Sequence, residues 1–157
     1  MVQQKDTPNP ASIPAGQRII GVDPGMKRVG IAVCDETQLV ARPLARIQRT
    51  SWKKLLEGLR ELILEFDAAA IVIGLPLESD GSESTMSAEA RRLARNLARS
   101  ITIPVFLQDE RTTSYEAKRR LWERDADLNE TKAQVDSEAA AIILEDFLER
   151  LRASRNE

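Results

Sequence analysis

Apolar residues in the first third of the chain recur in short runs that predict three β-strands. Two of these runs, over 18–23 and 29–35, flank a Pro-Gly turn, which predicts a hairpin. A third run over 39–47 contains Pro43, and proline cannot donate a hydrogen bond to a neighbouring strand. We therefore expect three antiparallel strands, the third of them at an edge of the sheet.

The apolar pattern changes to helical spacing after Ser51, a residue type that caps helix N-termini. A wholly apolar run over 69–74 then predicts a strand that is buried on both faces. The rest of the pattern predicts further helices and one more strand. These are a helix over 85–100, a strand over 103–107, a helix that opens at Thr113-x-x-Glu116 and a last helix over 132–152.

This order of elements predicts an α/β protein with a mixed sheet that is antiparallel at first and parallel later. A length of 157 residues fits one domain with a substantial core. Residues 1–17 are rich in Pro, Gln and Ser, which predicts a flexible N-terminal tail. We expect the domain over 18–152 and a short C-terminal tail over 153–157.

The composition excludes several kinds of site. Cys34 is the only cysteine and the chain has no histidine, which excludes disulfides, Cys- or His-ligated zinc sites and Ser-His-Asp triads. We expect a cytoplasmic protein, because a lone cysteine fits a reducing compartment and no apolar run approaches the ~20 residues of a membrane span. Catalysis would then depend on carboxylates, Lys, Ser or Thr, or on a metal held by oxygen ligands.

Acidic residues follow two of the predicted strands directly. Asp23 ends the apolar run IIGV, and the pair Asp109-Glu110 follows IPVFLQ. In α/β sheets, ligands bind beyond the carboxyl ends of the parallel strands. If the second strand continues to residue 110, the two acids of the pair point to opposite faces and only one joins Asp23. The structural alternatives are a turn residue for Asp23 and an ordinary polar loop for the pair.

A third acid, Asp136, lies on the apolar face of the last helix. Helical steps from Asp136 lead to Ala140 and Ile143, and a capping box at Thr131-x-x-Gln134 makes the alternative, an N-cap role for Asp136, weaker. A carboxylate directed at the core is costly unless a cation meets it. Acids that converge from two strands and a helix predict an oxygen-ligated Mg²⁺ or Mn²⁺ site.

Cations adjoin the proposed acids and line one predicted helix. Lys27 follows Asp23 and Arg111 follows Glu110, so both are candidates for phosphate contacts. Aromatic residues make up only 4% of the chain, so we expect recognition of a nucleic-acid backbone rather than base stacking. Further arginines at helical spacing would bind nucleic acid or form a solvated surface: Arg91, Arg95 and Arg99.

Four segments in this order resemble the YqgF family, also called RuvX: VDPGMKRVGIAVCD, VIGLPLESDGSES, DERTTSYEA and VDSEAAAIILEDFL. The resemblance spans about residues 18–151. It implies an RNase H-like fold, a five-stranded mixed sheet flanked by helices, with the first strand central and the third at an edge. The strand AAIVIG ends in Gly-Leu-Pro, however, without the acid that resolvases of this fold usually carry there.

The resemblance also implies phosphodiester hydrolysis by an acidic cluster that binds Mg²⁺ or Mn²⁺. Carried over by position, the catalytic residues and metal ligands would be Asp23, Asp136 and one acid of the Asp109-Glu110 pair. We favour Glu110, because its longer side chain reaches farther from a strand end.

Family members are known as Holliday-junction resolvases and as nucleases of the 16S ribosomal RNA precursor. The resemblance therefore implies a metal-dependent nuclease that acts on structured nucleic acid, either at the 5′ end of that precursor or at a DNA junction. We expect nucleic acid but no membrane as a partner, and a monomer or homodimer.

Two other functions are compatible with parts of the sequence. A non-catalytic nucleic-acid adaptor would keep the fold without turnover. A nucleotide-binding enzyme of the actin and sugar-kinase type would use the Asp-Pro-Gly turn to hold phosphates, but such enzymes need two domains of this kind.

Overall fold

The computed structural model describes residues 8–110 and 132–156, with side chains in the second range described from Ser137 onward. A short 3₁₀ turn (Pro10–Ser12) precedes the first strand. The helix predicted at Thr113-x-x-Glu116 lies outside the described residues. The described elements are β1 (Ile19–Pro24), β2 (Arg28–Cys34), β3 (Ala41–Gln48), α1 (Trp52–Phe66), β4 (Ala70–Leu75), α2 (Thr85–Ser100), β5 (Val105–Asp109) and α3 (Lys132–Arg155).

The strands form one mixed sheet in the order β3-β2-β1-β4-β5. β1 pairs antiparallel with β2 and parallel with β4, and β5 continues the parallel half. The predicted α/β class and the five-stranded mixed sheet are thus confirmed. Pro43 lies in β3, an edge strand of the sheet. Its missing N–H therefore removes no hydrogen bond between central strands.

Alternate residues of the central strands contribute to two separate cores, because successive side chains of a strand point to opposite faces. Ile20 and Val22 pack with α1 and α2 on one face of the sheet. Ile19 and Val72 pack with α3 on the other, which we call the α3 face. Burial on both faces explains why β1 and β4 are almost wholly apolar.

α3 lies unusually close to the centre of the sheet, above Gly21 of β1. A Cβ at Gly21 would stand 2.8 Å from Cβ of Leu144 and 2.9 Å from the carbonyl oxygen of Ala140. The missing side chain of Gly21 is therefore what allows the α3 backbone to rest on β1. α3 is the longest helix of the described residues. None of the helices in the described ranges has the length and apolar composition that a membrane span requires.

Two element boundaries differ from the sequence prediction. β5 covers Val105–Asp109 rather than 103–107, because Pro104 has no N–H to donate and only its carbonyl joins the ladder, accepting from the N–H of Ile71. α3 continues past residue 152 to Arg155. The guanidinium of Arg155 donates to Oε1 of Gln38 at 2.7 Å and to the carbonyl of Ile13 at 2.8 Å, which holds the last turn in place.

Part of the segment that the sequence assigned to a flexible tail packs against the domain. Ile13 is buried in the core of the α3 face. The side-chain amide of Gln38 donates to the carbonyls of Pro14 and Gln17 at 3.0 and 2.7 Å. Gln38 thus joins residues 13–17 to the β2–β3 turn, and the domain boundary at Arg18 stays a prediction.

We expect Gly21→Ala to lower the free energy of unfolding by about 1–3 kcal/mol, because the contacts of the new methyl group are helix backbone and Cβ, which cannot rotate away. The midpoint of urea unfolding measures this. Gly58→Ala in α1 is the matched control, since its Cβ would meet only the side chain of Ile47, whose nearest atom, Cδ1, is a terminal methyl at 3.0 Å. Equal midpoints for Gly21→Ala and the wild-type chain would contradict the proposed close packing.

Candidate active site

Asp23 is the first acid of the site, near the carboxyl end of the central strand. It lies in β1 opposite Gly30 of β2 and is half-buried. By strand alternation its side chain belongs to the same face as Ile19 and Gly21, which is the α3 face. The apolar strand β1 thus carries a carboxylate on the α3 face. This carboxylate lies near the carboxyl ends of the parallel strands, where ligands bind in α/β folds.

Glu110 reaches the same face from β5, two strands away in the sheet. Its backbone N–H donates to the carbonyl of Leu75 at 3.1 Å, so the ladder of β4 and β5 continues one residue beyond the strand. Alternation then groups Glu110 with Phe106 on the α3 face and Asp109 with Leu107 on the opposite face. Of the two acids, Glu110 is thus the one on the α3 face with Asp23, and its choice as metal ligand stays a prediction.

Gly74, at the end of β4, makes room for the Glu110 carboxylate. A Cβ at Gly74 would overlap Oε1 of Glu110 and stand 2.9 Å from its Cδ and 2.5 Å from Cδ1 of Ile143. The glycine at the strand end where the sequence analysis noted the lack of an acid is therefore covered by an acid from the neighbouring strand. We missed Gly74 as a site residue, although a glycine inside a wholly apolar strand is a recognised sign of close approach.

Asp23 and Glu110 approach the same position in the sheet. β1 and β4 pair up to Val22 and Ile73, and one further step along this parallel ladder brings Asp23 beside Gly74. Neighbouring strands lie about 4.8 Å apart. The backbone of Asp23 and the carboxylate of Glu110 therefore lie beside one glycine, and the convergence of these acids on a metal ion stays a prediction.

The third predicted acid, Asp136, belongs to the first part of α3. Its side chain lies outside the described part of the structure, but its backbone position is one helical turn before Ala140, which packs on Gly21. The next residue, Ser137, is fully buried and its Oγ accepts a hydrogen bond from the N–H of Ile31 at 3.2 Å. α3 therefore begins at the end of the sheet where Asp23 lies.

The donor groups at this end of the sheet fit a hard divalent cation. Asp23 and Glu110 offer carboxylate oxygens, which suit Mg²⁺ and Mn²⁺. The space above Gly74 is taken by the Glu110 carboxylate and by Cδ1 of Ile143, so a cation would bind beside this carboxylate and not on the glycine itself. Among side chains that the structure describes, no group of three Asp, Glu, His or Cys residues is placed to hold a metal ion, so a complete ligand set needs Asp136 or another partner.

The predicted phosphate contacts differ in their surroundings. Lys27 is exposed in the turn between β1 and β2, beside Asp23. Arg91 forms an ion pair with Glu83, 2.7 Å from Nε to Oε1, whereas Arg95 is exposed and forms no ion pair within the described ranges. A hydrogen bond from Ser87, assisted by Arg91, holds the pKa of Glu83 below its usual value. Arg111 lies outside the described residues.

A comparison of the whole chain with known families decides its relationship. The family model of RuvX, described as a Holliday junction resolvase, matches residues 17–150. The chain belongs to the RuvX family.

Relatives within this family cover nearly the same length. A protein of Acaryochloris marina named "Putative pre-16S rRNA nuclease" is 37% identical over 136 residues, which is 85% of this chain and 94% of the relative. A protein of Anaeromyxobacter sp. (strain Fw109-5) with the same name is 38% identical over 132 residues, 84% of this chain and 96% of the relative. The predicted resemblance to this family is therefore confirmed.

Solved structures of similar fold are resolvases of low sequence identity. RuvC of Thermus thermophilus, in complex with a Holliday junction substrate, matches with a TM-score of 0.54 at 16% identity and covers 86% of this chain and 96% of that chain. The Holliday junction resolvase of fowlpox virus matches with a TM-score of 0.50 at 13% identity, over 87% of this chain and 99% of that chain. At these identities the likeness concerns the fold, and the predicted RNase H-like class is confirmed.

We expect Gly74→Ala to weaken Mn²⁺ binding about 10- to 100-fold, because the added methyl group displaces the Glu110 carboxylate. Isothermal titration with Mn²⁺ in the absence of nucleic acid measures the affinity. Thermal unfolding in EDTA is expected to change little, since the displaced atoms are ends of flexible side chains. Unchanged Mn²⁺ affinity would show that the Glu110 carboxylate is not a ligand, and Gly58→Ala again serves as the control.

Proposed function

We propose that this chain is a metal-dependent endonuclease that hydrolyses phosphodiester bonds of structured nucleic acid, with the 5′ end of the 16S ribosomal RNA precursor as its substrate. The observation that supports the proposal is the contact of the Glu110 carboxylate with Gly74, on the strand that pairs with the strand of Asp23. The precursor is chosen because the curated relatives at 37–38% identity are named after it.

In this proposal Asp23, Glu110 and Asp136 are the catalytic residues and hold Mg²⁺ or Mn²⁺. A divalent ion bound there would supply charge stabilisation for an attacking water and for the leaving oxygen. The chain's own contribution is to orient the carboxylates and to place them at the end of a rigid sheet. No imidazole is available for proton transfer, and burial raises the pKa of the lone Cys34 thiol, so a carboxylate or the substrate phosphate would accept the proton.

Nucleic acid would be held by cations around this end of the sheet. Lys27 lies in the turn that follows Asp23 and would contact a phosphate near the scissile bond. Arg95 and Arg91 of α2 would contact the backbone farther away, with Arg91 exchanging Glu83 for a phosphate. Arg111 is proposed for the same role on the basis of its position after Glu110.

The second candidate substrate is a four-way DNA junction, which the description of the family model favours. Single-turnover cleavage of a 16S precursor and of a four-way junction by the same preparation distinguishes the two. We expect cleavage of the precursor in Mn²⁺ and none in EDTA. Preferential cleavage of the junction would show that the junction, and not the precursor, is the substrate. Tight binding without cleavage in any metal would establish the adaptor function instead.

We expect Asp23→Asn to abolish cleavage, by about 10³-fold or more, while the chain stays folded and still binds nucleic acid. The substitution removes the charge that binds the metal and changes little volume. Single-turnover rates and thermal melts measure the two properties. Asp67→Asn is the matched control, because Asp67 is an exposed C-cap of α1 with φ of 49°, a conformation that asparagine tolerates. Wild-type rates for Asp23→Asn would refute the assignment.

We expect Arg95→Gln to weaken nucleic-acid binding and to reduce the slope of log K against log salt by about 0.7–0.9, the value of one phosphate contact. The loss should be similar for duplexes of different sequence, because a backbone contact carries no base information. Arg42→Gln, at the opposite end of the sheet, is the control. An unchanged salt slope for Arg95→Gln would indicate that this face of α2 is only a solvated surface.

A further inference from the structure

Arg49, in the link between β3 and α1, contacts both the turn that follows Asp23 and the helix α2. Its Nη1 donates to the carbonyl of Gly25 at 3.1 Å, and its Nη2 donates to Oε1 of Glu89 in an ion pair. Its backbone N–H donates to the carbonyl of Lys27 at 2.9 Å. One residue therefore ties the turn between β1 and β2 to the first half of α2.

The ion pair is well shielded for two charged side chains on connecting elements. The side chain of Arg49 is 20% exposed and that of Glu89 is 19% exposed, whereas Glu83, which precedes α2, and its partner Arg91 are 52% and 39% exposed. Shielded pairs are screened less by salt and hold their geometry better than exposed pairs. The Glu89 carboxylate thus fixes the direction in which the Arg49 guanidinium points.

The turn that Arg49 contacts is tight and begins next to Asp23. A Cβ at Gly25 would overlap the carbonyl oxygen of Arg28, so the chain folds back within a space that no side chain could share. Pro24, between Asp23 and Gly25, has a fixed φ and no N–H. A shift of the Gly25 carbonyl is therefore passed through one stiff residue to the backbone of Asp23.

We propose that Arg49 is a positioning residue for the metal site. Held by Glu89, it fixes the Gly25 carbonyl and thereby sets the orientation of the Asp23 carboxylate toward Gly74 and Glu110. This inference rests on the proposed function, since it assigns Asp23 to the metal. Arg49 touches neither the metal nor the substrate in this role, and the exposed Lys27 remains the phosphate contact of the turn.

Arginine and lysine differ in the property that this role requires. The planar guanidinium donates to two acceptors in different directions at once, whereas an ammonium group acts as a single point charge. Arg49→Lys therefore keeps the charge opposite Glu89 but gives up the bond to the Gly25 carbonyl. Glu89→Gln keeps an acceptor of the same shape for Arg49 but removes the charge that orients it.

The test is carried out with the full chain and three measurements: Mn²⁺ affinity by calorimetry without nucleic acid, kcat and KM for cleavage, and the melting temperature in EDTA. We expect Arg49→Lys to weaken Mn²⁺ binding about 10-fold and to lower kcat at limiting Mn²⁺, with KM for nucleic acid unchanged. Saturating Mn²⁺ should restore most of kcat, and Glu89→Gln should show a smaller loss in the same direction.

Arg60→Lys is the matched control, because Nη2 of Arg60 in α1 donates to the carbonyl of Ser100 at 2.7 Å, at the other end of α2. It is expected to leave Mn²⁺ affinity and kcat unchanged. If Arg49→Lys and Glu89→Gln lower only the melting temperature, the pair is purely structural and the inference is overturned while the proposed function stands.

Failure of the proposed function gives a different result. If the wild-type chain binds Mn²⁺ but cleaves neither the precursor nor the junction, the nuclease proposal fails, and the affinities of the Arg49 and Glu89 variants still decide the positioning role. If Asp23→Asn leaves Mn²⁺ affinity unchanged, or the wild-type chain binds no Mn²⁺, both proposals are overturned.

Discussion

The absence of a side chain at two positions of the sheet is the constraint on which the candidate site depends. Gly21 lets the backbone of α3 rest on β1, and Gly74 leaves the space that the Glu110 carboxylate enters from β5. Both glycines face α3 on neighbouring strands. The Glu110 carboxylate therefore lies in space that a side chain at position 74 would fill, and a larger residue at Gly21 would push α3 away from β1.

This arrangement places two carboxylates beside a largely apolar core. Val72, Ile143 and Phe106 of the same core are buried, so the carboxylates of Asp23 and Glu110 stand at the border between that core and the end of the sheet. Like charges near a low-dielectric core disfavour each other's ionised form and attract cations. A cation at this place would relieve the repulsion, which is why sites of this kind often reduce stability in the absence of their ligand.

The local pattern of the sequence was sufficient for most of the fold but not for the contacts that shape the site. A short apolar run predicted β1, helical spacing predicted α2 and Pro43 predicted the edge position of β3, because those signals lie within one element. Four contacts join residues far apart in the chain: Gly74 with Glu110, Arg49 with Glu89, Ile31 with Ser137, and Ile13 with Arg155. No periodicity encodes such pairs, and only the glycine in a buried strand gave a local sign of one.

α3 connects the candidate site to the opposite end of the molecule. Near its start, Ser137 bonds the N–H of Ile31, and at its last turn Arg155 bonds Gln38 and Ile13. A helix is rigid along its axis, and a slip of one turn would move every residue by about 5.4 Å. Because both ends are fixed, the register of α3 on β1 is set, and with it the position of the residue 136 backbone along the sheet. Residues 13–17, although they lie at the far end, thus help to determine the geometry proposed for Asp136.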